Sequence, residues 1–128
     1  NISDHIQFLG RLSRDELKSF YQSLTLFLIP SEQEGLAIVG IEAMACGVPV
    51  ISTKCGGPET YVQHGINGYL CNFDAAEIAD CALKLLKSEE LYLKFSKTAR
   101  AGVREGYAQV AFESNFSKHW TTLWGLEI

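Results

Sequence analysis

Apolar residues along the chain occur in two patterns, short continuous runs and runs spaced three or four residues apart. The continuous runs predict strands, and they lie at 6–9, 26–29, 48–52 and 69–71. The spaced runs predict helices, and the first of these has apolar residues at Leu17, Phe20, Tyr21 and Leu24. Strands that alternate with helices predict a parallel, doubly wound α/β sheet whose strands are covered on both sides.

The first helix has a clear start signal. Ser13 and Glu16 have the spacing of a capping box, so the helix is expected to begin there. The next helix lies between the strands at 26–29 and 48–52, and it is the element around which the rest of the chain is organised. It is expected to start near Ala37, to pack through its apolar residues and to end at a left-handed cap. Those apolar residues are Ile38, Val39, Ile41 and Met44, and the cap is Gly47.

A glycine inside this central helix needs an explanation. Gly40 costs the helix about 1 kcal/mol relative to alanine. Glycine has no Cβ atom, so it allows another element or a ligand to come close to the helix backbone. We therefore expect a close approach at Gly40.

Three more helices are predicted downstream. Asp74 can cap a helix over 75–86, with Glu77 completing a capping box, and Ser88 can cap the next helix, to about residue 104. A last helix over about 108–123 has an aromatic residue at every fourth position, at Phe112, Phe116, Trp120 and Trp124. These aromatic residues either cover the core of this chain or dock on another domain.

Composition and charge narrow the class of protein. The chain has 128 residues, 47% of them hydrophobic and 20% charged, which is typical of one soluble globular domain. A net charge of −4 without a basic stripe argues against nucleic acid as a partner. No apolar run approaches the roughly 20 residues that span a bilayer, and there is no signal-peptide pattern.

The cysteines indicate a reducing compartment. The four cysteines form no Cys-x-x-Cys pair and have no histidine nearby, so a zinc site is not expected. We interpret them as reduced, mostly buried thiols of a cytosolic protein.

The candidate chemistry lies where the strand at 26–29 meets the central helix. A helix N-terminus presents unpaired backbone N–H groups and a partial positive charge, which suit phosphate. Gly35 lets the backbone come close to a ligand. Glu34 lies just before the helix and Glu42 one to two turns inside it, and carboxylates accept strong hydrogen bonds from hydroxyl groups. A phosphate flanked by hydroxyl groups on both sides describes a nucleotide sugar.

The residues around this helix resemble a known family. The donor-binding half of retaining glycosyltransferases with the GT-B fold (family 4 type, glycosyl transferases group 1) has a very similar run, here Pro30-Ser31, Glu34-Gly35, Glu42-Ala43-Met44-Ala45-Cys46-Gly47, Pro49-Val50 and Gly56-Gly57. The segments at 9–12 and 67–70 also fit the family's pattern. The resemblance covers residues 6–86. It implies a Rossmann-like parallel sheet with helices on both faces, forming the later part of a C-terminal donor-binding domain.

The resemblance also implies roles for individual residues. Glu34 would be the catalytic residue, facing the transferred sugar and stabilising an oxocarbenium-like transition state. Glu42 would accept the ribose hydroxyl groups, and Arg11 and Leu12 lie where relatives pass the nucleotide base. The sugar and diphosphate would accept hydrogen bonds from the backbone N–H groups of Gly35, Leu36, Ala37 and Ile38. Many relatives have glycine at the position of Ala37, so its methyl group narrows the space for the sugar.

For the whole protein, the resemblance implies retaining transfer of a sugar from a UDP-, GDP- or ADP-sugar to an acceptor hydroxyl. The product would be a polysaccharide, lipopolysaccharide or glycolipid, and neither a metal nor a cofactor is expected. Residues 1–106 would form part of the nucleotide-sugar-binding domain, and 107–128 a C-terminal helix that docks on the acceptor-binding N-terminal domain of relatives. That domain, and the Arg and Lys that bind the diphosphate in relatives, are not in this sequence. We therefore expect a fragment that is inactive alone, or one subunit that meets its other half in trans. The whole protein is expected to be cytoplasmic, and its peripheral association with the membrane face stays open.

Other interpretations remain open at this point. The chain could be a non-catalytic module that binds a nucleotide or a partner protein, or part of a sugar epimerase or a pyridoxal-phosphate phosphorylase of the same fold. Taken singly, Glu34 could be an acid that stabilises a helix N-terminus and Glu42 a solvated helix carboxylate. Arg11 could be a surface charge, and the pair at 56–57 a simple turn.

Overall fold

A computed structural model of the protein describes residues 1–111, 113, 114 and 117. Three parallel strands form one sheet in the order β1 (Phe27–Ile29), β2 (Val50–Thr53) and β3 (Gly68–Cys71). The helices are α1 (Arg14–Ser23), α2 (Ile38–Ala45), α3 (Ala75–Leu86) and α4 (Glu89–Gly106), with short 3₁₀ helices at Ile2–His5 and Pro58–Thr60. The four aromatic residues of the last predicted helix lie outside the described residues, so both their role and the domain boundary at 106 stay predictions.

Helices lie on both faces of the sheet. Neighbouring residues of the central strand point to opposite faces, and they enter different core clusters. Val50 packs in a cluster with Ile41 and Met44 of α2, whereas Ile51 packs with Leu85 of α3 and Phe95 of α4. The predicted parallel α/β architecture is therefore confirmed.

Two predictions about strands are wrong. Residues 6–9 form no strand, because no described strand pairs with them, and the Phe8 side chain is 94% exposed. β1 is not covered on both sides, because it lies at an edge of the described sheet while α3 packs against β2 and β3. As a result Leu28, on the α3 side of β1, is 47% exposed.

The predicted caps of α1, α3 and α4 are mostly confirmed. The Ser13 N–H donates to Glu16 at 2.7 Å and the Glu16 N–H donates to the Ser13 hydroxyl at 3.4 Å, which completes the capping box of α1. Ser88 caps α4 by accepting the N–H of Leu91. The capping box predicted for α3 does not form, although Asp74 caps the helix by accepting the N–H of Glu77. The Glu77 carboxylate accepts N–H groups of Asn72 instead of the cap's own, because both the backbone and the side chain of Asn72 offer donors to it.

The close approach expected at Gly40 is confirmed. A Cβ atom there would lie 2.3 Å from the Tyr61 hydroxyl and 2.9 Å from Cδ1 of Ile29. Both distances are far shorter than real contacts, so glycine lets α2 press against the sheet. The left-handed cap at Gly47 is also confirmed, with a φ of 79°.

The cysteines are free, and three of the four are buried. Sγ of Cys71 lies 3.5 Å from Sγ of Cys81. Burial, with this hydrogen bond, raises the pKa of the Cys71 thiol to about 12, which keeps it protonated.

In the part of the chain that the structure describes, none of the helices has the length and apolar character needed to cross a membrane.

Candidate functional site

The candidate site is built from two loops that follow β1 and β2. The Glu34 N–H donates to the Cys55 carbonyl at 2.7 Å, and the Gly57 N–H donates to the Glu34 carbonyl at 3.3 Å. Glu34 and Gly56 thus form a parallel bridge, so the pairing of β1 with β2 extends beyond the sheet into the loops. This pairing fixes the backbone of Glu34 at the carboxyl ends of the strands, where ligands of open α/β sheets bind.

The glycine pair at 56–57 lets the two loops touch. Gly56 has a φ of +111°, and a Cβ atom on it would lie 2.8 Å from the Glu34 carbonyl oxygen. A Cβ atom on Gly57 would lie 2.4 Å from the carbonyl oxygen of Gly35. The pair is therefore more than a turn, since it sets the distance between the loops; a contact with a ligand stays a prediction.

The carboxylate of Glu34 is held in place by its own loop. It is partly buried, and the Ser31 hydroxyl donates to its Oε1 at 2.7 Å. Thr53 of β2 in turn donates its hydroxyl to the carbonyls of Ile29 and Ser31, which ties the start of the loop to the sheet. Glu34 is therefore oriented before any ligand arrives.

The N-terminus of α2 is open. Its N-cap, Ala37, has a left-handed φ of 53°, and among the described residues no side chain caps the first turn. Ile38 is 60% and Val39 45% exposed, so the prediction that these two residues pack is wrong, whereas Ile41 and Met44 are buried. The Gly40 N–H donates to the Ala37 carbonyl at 2.9 Å. The N–H groups that precede it in the turn have no acceptor within the helix, and they lie within five residues of Glu34 in the sequence.

A hydrogen bond from Tyr61 stabilises the conformation of Ala37. The buried Tyr61 hydroxyl donates to the Ala37 carbonyl at 2.8 Å. Burial raises the pKa of Tyr61 above its ordinary value, so the hydroxyl stays a neutral donor. The hydrogen bond holds the peptide group from which the helix starts.

Ala37→Gly is expected to raise the free energy of unfolding by about 0.5–1 kcal/mol, because a left-handed conformation costs alanine more than glycine loses in chain entropy. Urea unfolding measures the change. Ala101→Gly, at an exposed position inside α4, is the matched control and should lower the stability by about 1 kcal/mol. Equal losses in both variants would contradict the left-handed conformation of Ala37.

Glu42 lies one turn after Ile38, the first residue of α2, on the side of the helix that faces Tyr21. Its Oε2 accepts a hydrogen bond from the Tyr21 hydroxyl at 2.9 Å. Glu42 also lines a groove of about 1310 Å³ between α2 and α4, together with Arg100 and Arg104. No other predicted site residue lines this groove, so the site is not defined by the groove.

Arg11 and Leu12 lie in the segment before the cap of α1. Arg11 is exposed and Leu12 is half-buried. Within the described residues, no hydrogen bond joins Arg11 to either glutamate. The structure therefore brings Glu34 together with residues 35–38, places Glu42 nearby on the same helix, and leaves the two predicted base-contact residues unlinked to them.

Sequence reasoning missed four residues that support this site, namely Tyr21, Ser31, Thr53 and Tyr61. The Ser-x-x-Glu spacing at 31–34 is a local signal that could have been used. The other three act across distances of more than 20 residues in sequence, for which a single sequence has no local signal.

Similarity to known proteins identifies the family of the chain. Residues 1–102 match the family model "Glycosyl transferases group 1". N-acetyl-alpha-D-glucosaminyl L-malate synthase of Bacillus anthracis is 39% identical over 117 residues, which cover 91% of this chain and 30% of that protein.

Solved structures share the fold. Sucrose-phosphate synthase of Thermosynechococcus elongatus superposes with a TM-score of 0.86 at 27% identity, covering 98% of this chain and 32% of the other. The Anabaena protein HepE, solved in complex with UDP-glucose, gives a TM-score of 0.83 at 23% identity over 94% of this chain and 33% of its own, a likeness of fold alone.

The chain spans about a third of the length of these proteins. Its parallel sheet, its helices on both faces and the family match over 102 residues agree with one another. The chain belongs to the glycosyl transferases group 1 family, and its Rossmann-like α/β fold matches part of the C-terminal domain of GT-B glycosyltransferases.

Proposed function

We propose that this chain binds the donor of a retaining glycosyltransferase, a nucleotide diphosphate sugar. The observation that carries the proposal is the open N-terminus of α2 with the Glu34 carboxylate fixed beside it. Backbone N–H groups with a helix dipole behind them suit the diphosphate, and a carboxylate suits the hydroxyl groups and the developing positive charge of the sugar. Both groups are within one short segment, as a phosphate-linked sugar requires.

The proposal assigns a role to each predicted residue. The N–H groups of Gly35, Leu36, Ala37 and Ile38 receive the diphosphate and the sugar. Glu42 accepts hydrogen bonds from the ribose hydroxyl groups, and Arg11 and Leu12 lie beside the nucleotide base. The donor is a UDP-, GDP- or ADP-sugar, since nothing in the described residues selects one base.

The reaction is a transfer with retained configuration. The bond between the anomeric carbon and the diphosphate oxygen breaks, and the acceptor oxygen attacks the same face of the sugar while its proton passes to the departing phosphate. Glu34 stabilises the positive charge that develops on the sugar ring between these events. The acceptor is a hydroxyl group of a growing polysaccharide, lipopolysaccharide or glycolipid.

Other parts of the protein complete the site. A helix N-terminus supplies only about half of a positive charge, and the chain itself has a net charge of −4. The helix N-terminus alone is therefore too weak to neutralise a departing diphosphate, and we propose that cations from the rest of the protein contribute. We assign these, and the acceptor site, to the remaining two thirds of a protein of the relatives' length, with residues 1–106 as the donor side and 107–128 as the docking helix.

Glu42→Ala is expected to weaken nucleotide binding by about ten- to a hundredfold, because a hydrogen bond to a charged group is lost. The measurement is a calorimetric titration of the chain with UDP, GDP, ADP and UDP-glucose. Glu90→Ala removes an exposed carboxylate from the first turn of α4 and is the matched control. Its affinities should equal those of the wild type.

Two outcomes would contradict the proposal. An unaltered dissociation constant in Glu42→Ala would remove Glu42 from the site. A folded wild-type chain that binds none of these ligands would favour the alternative, a module that binds a partner protein.

A further inference from the structure

One tyrosine of α1 connects the apolar core to the candidate site. Tyr21 is only 4% exposed, and its ring is packed against Phe20 and Phe27, with ring centroids 5.6 and 5.7 Å away. The hydroxyl group is the single polar atom of this side chain, and it donates to Oε2 of Glu42 at 2.9 Å. The donor therefore has a fixed position, because the ring that bears it is immobilised by packing.

The acceptor of this hydrogen bond would be mobile without it. Glu42 is at an exposed position of α2, and an exposed glutamate samples many rotamers, whose loss on binding costs free energy. The hydrogen bond selects one orientation of the carboxylate in advance. It engages Oε2 and leaves Oε1, and a second lone pair of Oε2, for other donors.

The phenol keeps its proton under all ordinary conditions. Burial, and then the hydrogen bond to Glu42, raise the pKa of Tyr21 above its usual value. Tyr21 therefore acts as a neutral donor at any physiological pH, and it adds no negative charge beside a nucleotide.

We infer that Tyr21 is a positioning residue, whose hydroxyl group orients the Glu42 carboxylate to receive the ribose hydroxyl groups of the donor. The inference rests on the proposed donor-binding function. The hydrogen bond from Tyr21 to Glu42 also connects two parts of the proposed site, because α1, which carries Tyr21, directly follows the segment with Arg11 and Leu12. The hydrogen bond between α1 and α2 thereby fixes the proposed base side of the site relative to its ribose side.

The competing explanation is that Tyr21 only packs α1 against α2. Tyr21→Phe separates the two, because it keeps the ring and removes only the hydroxyl group. A packing role would affect stability, and any loss of affinity would be equal for nucleotides with and without ribose hydroxyl groups, whereas a positioning role affects recognition of those hydroxyl groups.

The experiment compares each nucleotide with an analogue that lacks those hydroxyl groups. UDP, GDP and ADP and their 2′,3′-dideoxy counterparts are titrated into the wild type, Tyr21→Phe, Glu42→Ala and the double variant. Tyr21→Phe should weaken the best ribonucleotide by about three- to tenfold, the cost of ordering one side chain. The dideoxy analogue should bind both proteins alike, so the preference for ribose falls by the same factor.

The double variant and a control complete the design. In the Glu42→Ala background, removal of the Tyr21 hydroxyl should have a much smaller effect on affinity, because the carboxylate that it orients is already gone. Tyr69→Phe is the matched control, since Tyr69 is also buried but lies on β3 against Phe95. It should bind every nucleotide as the wild type does.

Three results would overturn the inference. Equal weakening of ribo- and dideoxynucleotides in Tyr21→Phe would show that the tyrosine only packs. Unchanged affinities in Tyr21→Phe, beside a loss in Glu42→Ala, would reject the positioning role and leave the proposed function standing. A wild type that binds no nucleotide, or does not distinguish ribose from dideoxyribose, would reject the role of Glu42, and the role of Tyr21 with it.

Discussion

Glu34→Gln is expected to abolish sugar transfer by a protein that carries this chain with its acceptor-binding domain. The substitution removes a negative charge from the place where we propose that positive charge develops, and loss of one such stabilising group lowers the rate by about 10²–10³-fold. Nucleotide affinity should stay nearly unchanged, because Glu34 is assigned to the sugar and not to the nucleotide.

Glutamine is the right replacement because it preserves the local geometry. The Ser31 hydroxyl donates to Oε1 of Glu34, and a glutamine side chain offers a carbonyl oxygen at the same place. The Glu34 backbone bonds to the second loop are independent of the side chain. Any loss of rate is then due to the charge.

The measurement is steady-state transfer from the preferred nucleotide sugar, with calorimetry of the nucleotide alone. Glu32→Gln is the control, since Glu32 is an exposed carboxylate in the same loop, and it should keep the wild-type rate. Unchanged turnover in Glu34→Gln would remove the residue from the mechanism. A variant that loses transfer and nucleotide affinity together would place Glu34 at the nucleotide instead.

The parts of the fold that could be predicted from the sequence depend on local interactions. Ser13, Asp74 and Ser88 cap the helices that their spacing predicts, because a cap involves residues two or three apart. Gly47 adopts the left-handed cap, and the glycine inside α2 marks the predicted close approach. The proximity of Glu34 to the start of α2 followed from the same short-range reasoning.

The parts that could not be predicted depend on partners far away in sequence. Residues 6–9 have the apolar pattern of a strand but no described partner strand, and a strand needs a ladder of hydrogen bonds from a neighbour. Periodicity classified Tyr21 as core, which its ring is, but it said nothing of the hydroxyl group that reaches Glu42. Periodicity assigns a residue to a face, and the contacts of its polar atom depend on how two faces meet.

Gly57→Ala is expected to lower the free energy of unfolding by about 1–3 kcal/mol, the usual cost of overpacking. The added Cβ atom would lie 2.4 Å from the Gly35 carbonyl oxygen and 2.6 Å from Cα of Leu36. Both are backbone atoms, so no side chain can move aside. The φ of Gly57 is −61°, which alanine adopts readily, so the loss is due to the contact between the loops and not to backbone strain.

This substitution should also weaken donor binding, because the displaced loop carries Glu34 and the start of α2. Urea unfolding gives the stability and calorimetry with nucleotide sugars the affinity. Gly102→Ala, inside α4, is the matched control, since among the described residues a Cβ atom there meets only Nδ2 of Asn67, at 3.7 Å, and this variant should gain about 0.5–1 kcal/mol in the free energy of unfolding. If Gly57→Ala were as stable as the wild type and bound donors equally well, the contact between the two loops would not set the geometry of the site, and the position of Glu34 would have to depend on Ser31 and Thr53 alone.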